Sequence, residues 1–140
     1  MAKIQTSFSI YQHMRMVMHL TRWPLAVAGQ QQSIIPLLTA AQLTKEEAES
    51  VSLETITDPT GLPSYTWNNQ AAQGVTIERR WSRSQAKTLR NVVANPPQGI
   101  APWVAAQHEI ANDMLRQLGA AEHELFGYVN PSDQEDDEED

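Results

Sequence analysis

The sequence predicts one α+β domain that is mainly helical, with four or five short helices around one β-hairpin and a disordered acidic C-terminal tail. Three observations predict this fold class. The chain of 140 residues has the usual length of one domain with a single core. Capping signals, prolines and glycines divide most of it into segments with helical periodicity, and two short segments are rich in β-branched and aromatic residues. We therefore expect a globular domain at 1–130 and a tail at 131–140.

The acidic residues are concentrated at the C-terminus. Seven of the 17 lie between Asp133 and Asp140, and the remaining ten equal the ten basic residues in number. Like charges at this density repel one another and bury no apolar surface, which predicts disorder from Pro131 onward. The rest of the chain is close to neutral, and this disfavours a polyanion as its main ligand.

The composition excludes several classes of protein. The absence of cysteine excludes disulfide scaffolds, cysteine nucleophiles and thiolate metal sites. No apolar run approaches the roughly 20 residues that cross a bilayer, and the N-terminal residues lack the apolar stretch of a secretory signal. We therefore expect a soluble, cytoplasmic protein with no membrane partner.

Residues 9–22 show both strand-like alternation and a helical stripe of apolar residues. A helix is favoured because Ser9 and Gln12 have the spacing of a capping box and Trp23-Pro24 supplies a stop. Apolar residues lie on two sides of this helix, and its alternating methionines are typical of adaptable partner surfaces. The sequence therefore predicts a partner or self-association interface made of Met14, Met16, Met18 and Leu20.

Two further helices are predicted before the strands. Ser33 is expected to cap a short helix with Pro36 in its first turn, where proline is tolerated. Thr44 and Glu47 have the spacing of a capping box that opens a helix through about Ile56. Residues 58–61 then form a turn.

The β-hairpin is predicted from residues 65–67 and 75–77, which flank the polar loop 68–74. An isolated hairpin is only marginally stable in water. It must therefore lie on the helices or pair with another segment, and 52–56 is the alternative partner if the preceding helix is shorter.

The C-terminal half is predicted to be helical. Ser82 and Gln85 have capping-box spacing before a helix at about 83–94, which ends at Asn95-Pro96-Pro97. The next helix is expected to start near Pro102 and to end at Gly119. A short helix is expected within 120–128.

Half of the ten basic residues fall within positions 79–90. Arg83, Lys87 and Arg90 share one helical face by their spacing. Such a stripe would suit an anionic partner protein, the chain's own tail, or a phosphate backbone with Trp81 stacked on a base. Alternatively, the arginines pair with acidic residues of the domain and Trp81 belongs to the core. The candidate binding residues are Arg79, Arg80, Trp81, Arg83, Lys87 and Arg90.

No motif predicts catalysis, a metal or a cofactor. Glycine-rich phosphate loops, nucleophile elbows and paired-carboxylate motifs do not occur. His108 and His123 lie in similar short segments without the spacing of a zinc site, so both are expected on the surface. His13 and His19 lie six positions apart and cannot share a ligand on one helix. No catalytic residue and no metal ligand is therefore predicted.

The expected function is that of a non-enzymatic protein-interaction component, such as an adaptor, an assembly factor or a chaperone-like accessory protein. It would bind a protein partner or a second copy through helical surfaces and charged segments. The alternative is a nucleic-acid-binding protein whose basic stripe between Arg79 and Arg90 is autoinhibited by the acidic tail. An enzyme that uses His108 or His123 ranks third.

Overall fold

The computed structural model of the chain describes residues 3–26, 31–57, 59, 61, 63–97 and 100–129. The predicted tail lies outside these residues. Within them the fold is α+β and mainly helical, which confirms the predicted fold class. The helices are α1 (Ile10–Ala26), α2 (Gln31–Ala41), α3 (Lys45–Ser50), α4 (Asn69–Ala72), α5 (Arg83–Ala94) and α6 (His108–Gln117). The strands are β1 (Ile4–Ser9), β2 (Glu54–Thr57), β3 (Pro63–Thr66) and β4 (Thr76–Trp81).

The strands form two separate antiparallel pairs. β1 pairs with β4, so that Phe8 lies opposite Ile77, and β2 pairs with β3 as a hairpin. The prediction that 65–67 pairs with 75–77 is therefore wrong, because α4 separates the two segments and each finds another strand. The alternative is confirmed: α3 ends at Ser50 and the following segment becomes β2. Ser52 turns the chain between them with a φ of 53°.

The capping box of α1 is confirmed. The backbone N–H of Ser9 donates to Oε1 of Gln12 at 2.9 Å, and the N–H of Gln12 donates to Oγ of Ser9 at 3.2 Å. The alternating apolar positions at 9–22 therefore lie on a helix, and the strand β1 directly precedes them. The predicted stop at Pro24 is wrong, since α1 continues to Ala26.

The predicted starts of the helices after α1 are confirmed in part. α2 begins at Gln31, so Ser33 is not its cap and Pro36 lies inside it rather than in the first turn. Both capping boxes that open α3 and α5, at Thr44 and at Ser82, are confirmed. Capping boxes are predictable because both partners lie three residues apart on the same chain segment.

α6 is shorter than predicted. It begins at His108, after a single 3₁₀ turn at Ala105–Gln107, so Pro102 precedes the helix instead of starting it. Gly119 follows the helix with a φ of +95°, which confirms the predicted stop. The short helix predicted within 120–128 is reduced to a 3₁₀ turn at Glu122–Glu124.

The core surrounds α1, which packs against α2, α5 and α6 and against the β1–β4 pair. Side chains from all of these elements are fully buried. The largest include Phe8, Ile10, Met14, Met16, Leu20, Ile34, Ile77, Trp81, Leu89, Met114, Leu115 and Leu118. In the described part of the chain, none of the helices combines the length and the apolar character needed to cross a membrane.

Candidate functional site

Trp81, the proposed base-stacking residue, lies in the core. Its side chain is 1% exposed, and its indole N–H donates to Oγ1 of Thr6 at 3.0 Å. Thr6 is buried as well, so the two polar groups satisfy each other away from water. A nucleic-acid base would have to displace core side chains to stack on this ring. The structure thus agrees with the alternative that assigns Trp81 to the core.

Arg79 lies in a junction between β4, α2 and α3. Its guanidinium donates to the carbonyl oxygens of Ala40 at 3.3 Å and Gln42 at 3.0 Å, at the C-terminal end of α2. It also donates to both carboxylate oxygens of Glu47, at 2.6 and 3.0 Å. These hydrogen bonds lower the pKa of Glu47 to about 2. Arg79 therefore serves the fold and is not free to bind an external anion.

Arg90 is also engaged within the domain. One of its terminal nitrogens donates to the carbonyl oxygen of Leu118 at 2.8 Å, where α6 ends. Its Nε lies 3.8 Å from a carboxylate oxygen of Glu124 in the following 3₁₀ turn. A cation at a helix C-terminus is favourable because the last carbonyl groups carry partial negative charge.

The other three basic residues of the predicted stripe are exposed. Arg80 lies on the outer face of β4, opposite Gln5 of β1. Arg83 is the first residue of α5, and Lys87 lies one turn later on the same face. Within the described residues, none of the three side chains forms an ion pair or a side-chain hydrogen bond. We call Arg80, Arg83 and Lys87 the basic surface.

Three of the four residues of the interface predicted on α1 lie in the core. Met14, Met16 and Leu20 are at most 1% exposed, and Met18 is half-buried. The two apolar sides of α1 are covered by the chain's own helices and strands, because α1 is the central element of the core. The reason for predicting a partner at this helix is therefore removed.

The two histidines of the similar segments differ in their surroundings. His108 is half-buried and its ring stacks on Phe126, with 4.9 Å between ring centroids. His123 is exposed within a 3₁₀ turn. Among the residues that the structure describes, no group of three histidine or acidic side chains is placed to hold a metal ion.

We expect His123→Ala to change the free energy of unfolding by less than about 0.5 kcal/mol, as for other exposed positions. His108→Ala should lower it by about 1 kcal/mol, because the variant loses the ring contact with Phe126. Urea denaturation of both variants tests this. Equal effects of the two substitutions would show that the contact with Phe126 does not contribute.

His13 and His19, for which the sequence predicts no shared ligand, are fully buried in α1. Nε2 of His13 lies 2.6 Å from the carbonyl oxygen of Ala41, so this nitrogen carries the hydrogen and donates it. Its Nδ1 is buried without a hydrogen-bond partner. Burial lowers the pKa of both histidines to about 4. Both rings are therefore neutral at pH 7.

His19 is joined to a second arginine. Its Nδ1 donates to the carbonyl oxygen of Val92 at 3.0 Å, and its Nε2 accepts a hydrogen bond from Nε of Arg15 at 3.2 Å. The same guanidinium donates to the carbonyl oxygen of Ala101 and lies 4.0 Å above the ring of Trp103. This network fixes the segment before α6 against α1 and α5. The sequence carries no signal for it, because two of the acceptors are backbone carbonyls.

Residues 100–106 form an uncharged apolar segment, Ile-Ala-Pro-Trp-Val-Ala-Ala, that runs over the surface. Trp103 is 6% exposed and anchors it, since its indole N–H donates to the carbonyl oxygen of Val93 at 2.8 Å. Tyr11 of α1 adjoins the segment through its hydroxyl, which accepts a hydrogen bond from Gln107. The exposed residues, which we call the apolar surface, are Tyr11, Ala101, Pro102, Val104, Ala105 and Ala106.

This surface was not predicted, because the sequence pattern assigned the segment to the start of a helix with a buried apolar side. The available signal was a run of residues with no charged side chain directly after a proline-rich stretch. Scattered exposed apolar residues are normal, whereas a contiguous apolar patch is typical of an interaction site.

Comparison with known proteins gives no functional assignment. No protein-family model matches the chain, and neither a curated protein nor a solved structure matches it. Function is therefore inferred from the apolar surface and the basic surface alone.

Proposed function

We propose that the chain is a non-enzymatic protein-interaction component, such as an adaptor, an assembly factor or a chaperone-like accessory protein, and that it binds its partner through the apolar surface. One observation carries the proposal: the segment at 100–106 exposes uncharged side chains on a backbone held by the buried Trp103. Val104, at 56% exposure, lies at its centre. The proposed site thus differs from the one predicted on α1.

The contacts of this segment favour binding. Arg15 and the indole of Trp103 hold the backbone between α1 and α5, so little conformational entropy is lost when a partner covers it. Burying one exposed aliphatic side chain contributes about 1.5–3 kcal/mol. A partner of matching chemistry would present apolar or aromatic side chains to the segment and a hydrogen-bond acceptor near Arg15, whose guanidinium donates to both Tyr11 and Ala101.

The test compares two aliphatic residues of similar exposure. Val104→Asp places a charge in the apolar surface, and Ile35→Asp, on α2, is the matched control at 54% exposure. The wild-type chain is first used to capture a partner protein from an extract of the cells that produce the chain. We expect this partner to bind Val104→Asp at least tenfold more weakly than it binds the wild type. Ile35→Asp should retain it. Quantitative mass spectrometry of the captured proteins measures both.

Both variants should unfold at the same urea concentration as the wild type within error, because both positions are exposed. A captured protein that binds Val104→Asp as tightly as the wild type would contradict the proposal. Light scattering across a concentration series distinguishes a second copy of the chain from a different partner.

A second candidate function is anion binding at the basic surface, as in the nucleic-acid hypothesis. Its support is the exposure of Arg80, Arg83 and Lys87 without ion-pair partners in the described part of the chain. The buried position of Trp81 removes the stacking contact that a single-stranded ligand would use. This leaves three cations, fewer than the six to ten phosphate contacts of a tight nucleic-acid complex.

A further inference from the structure

The basic surface lacks acidic partners in the described fold. Arg79 and Arg90 of the predicted stripe have carboxylates beside them, at Glu47 and Glu124. Arg80, Arg83 and Lys87 have none. The nearest acidic residue along the strand is Glu78, two positions before Arg80 on the same outer face of β4. Among the described residues, none of the three cations has a carboxylate at ion-pair distance, so their charges are unpaired there.

The acidic end of the chain lies within reach of this surface. Glu124 is 3.8 Å from Arg90, and Lys87 and Arg83 lie about 5 and 10 Å further along α5. The structure describes the chain up to Val129, from which an extended chain reaches up to about 14 Å to Asp133 and up to about 40 Å to Asp140. Val129 is at most about 18 Å from Glu124, so the acids beyond it can reach the α5 part of the basic surface while residues 125–129 keep their described positions.

We propose that the basic surface is the docking site of the chain's own residues 133–140, which would occupy it through ion pairs. Tethering gives the segment a millimolar effective concentration at the surface, so weak individual pairs are sufficient. The contact is screened by salt, because all three cations are exposed. Docking closes the basic surface to other polyanions. It does not depend on the apolar surface, so either proposal can fail alone.

The first experiment uses the full-length chain and a variant in which the seven acids of 133–140 are replaced by their amides. Amide chemical shifts of the two proteins, measured by NMR in about 20 mM salt, should differ at 80–87 and agree around Lys45, an exposed cation on α3. The differences should vanish in about 0.5 M salt, where the Debye length is a few ångströms. Identical shifts at 80–87 would overturn the proposal, as would differences of equal size around Lys45.

Substitution of the three cations provides the reciprocal test. In the variant Arg80→Gln/Arg83→Gln/Lys87→Gln, neutralising the seven acids should no longer change the amide chemical shifts at 80–87. The control Lys45→Gln should behave as the wild type. Shift differences that shrink on dilution would assign the contact to the tail of a second copy and would overturn docking within one chain.

Binding of an external polyanion measures whether residues 133–140 block the basic surface. A fluorescent single-stranded DNA of 20 nucleotides, titrated in low salt, should bind the acid-neutralised variant at least tenfold more tightly than the wild type. The three cation substitutions should remove that gain. Equal, measurable affinity of the wild type and the acid-neutralised variant would overturn the proposal, because an occupied surface cannot bind a second polyanion equally well.

Discussion

Replacing Arg79 with methionine is expected to lower the free energy of unfolding by about 3 kcal/mol. The variant leaves the carboxylate of Glu47 without its cation and removes the donors to the carbonyl oxygens of Ala40 and Gln42. Unpaired polar groups in a partly buried junction cost more than the mean value of one hydrogen bond. Urea denaturation followed by tryptophan fluorescence measures the loss.

The neighbouring residue supplies the control. Arg80→Met removes the same charge one position along β4, but Arg80 is exposed, so we expect a change below about 0.5 kcal/mol. The double variant Arg79→Met/Glu47→Gln should recover part of the loss, since it removes the unpaired carboxylate. Equal destabilisation by the two methionine variants would contradict the role assigned to the junction.

The same junction has its own pH dependence. Arg79 lowers the pKa of Glu47 from 4.5 to about 2, so the folded state binds this proton less readily than the unfolded state. The stabilisation is complete above pH 4.5 and is lost as the pH falls toward 2. Arg79→Met should remove the part of the acid destabilisation that falls in this range.

Acidification from pH 6.5 to pH 4 is expected to lower the free energy of unfolding by about 3 kcal/mol for each of His13 and His19. Both pKa values fall from 6.5 to about 4 in the folded state, so the unfolded chain binds the protons first. Stability is therefore unaffected above pH 6.5 and decreases through this window. A combined loss of about 6 kcal/mol is comparable to the total stability of many domains.

A nearby arginine lowers the pKa of each ring further. A proton on Nε2 of His19 would remove its hydrogen bond from Arg15 and would place two cations in contact. At His13 the facing charged groups are Arg79 and Glu47, and the effect of Arg79 is the larger. Burial dominates at both sites.

Two conservative substitutions separate the contributions of His13 and His19 to the pH dependence of stability. His13→Gln can retain a donor near the position of Nε2, and His19→Asn can retain one near the position of Nδ1. Each variant should reduce the slope of unfolding free energy against pH between 4 and 6.5 by up to about 1.4 kcal/mol per pH unit. His123→Ala is the control and should leave the slope unchanged. A slope that survives both substitutions would assign the acid sensitivity to other groups.

Capping boxes in the sequence predicted the starts of three helices, whereas the starts of α2 and α6 were placed wrongly. Ser9, Thr44 and Ser82 each cap a helix through a partner three residues later, so a short segment holds all the necessary information. The strand partners were not predictable in this way. The segment at 63–66 pairs with 54–57 because α3 is short, and its length depends on packing as well as on propensity.

At the candidate site, the contacts that the sequence could not predict were mainly hydrogen bonds from side chains to distant backbone groups. His13 and His19 donate to carbonyl oxygens on α2 and α5, and any residue offers a carbonyl, so no sequence pattern marks the acceptor. Arg79 and Trp81 were correctly described by the alternative that placed them within the fold, because a carboxylate and a core position were available. Exposure of 101–106 depended on where α6 begins, which the sequence placed too early.

The pairing of β1 with β4 determines the order in which the chain can fold. Phe8 meets Ile77 across about 70 intervening residues, whereas β2 and β3 are joined by a short connection. Closing the longer loop costs about 2 kcal/mol more chain entropy, so the hairpin can form within microseconds while the β1–β4 pair forms late. During synthesis β1 must wait for most of the domain to follow it. Until then Phe8 and the core side of α1 remain uncovered, and this is the stage at which the nascent chain is most exposed to aggregation.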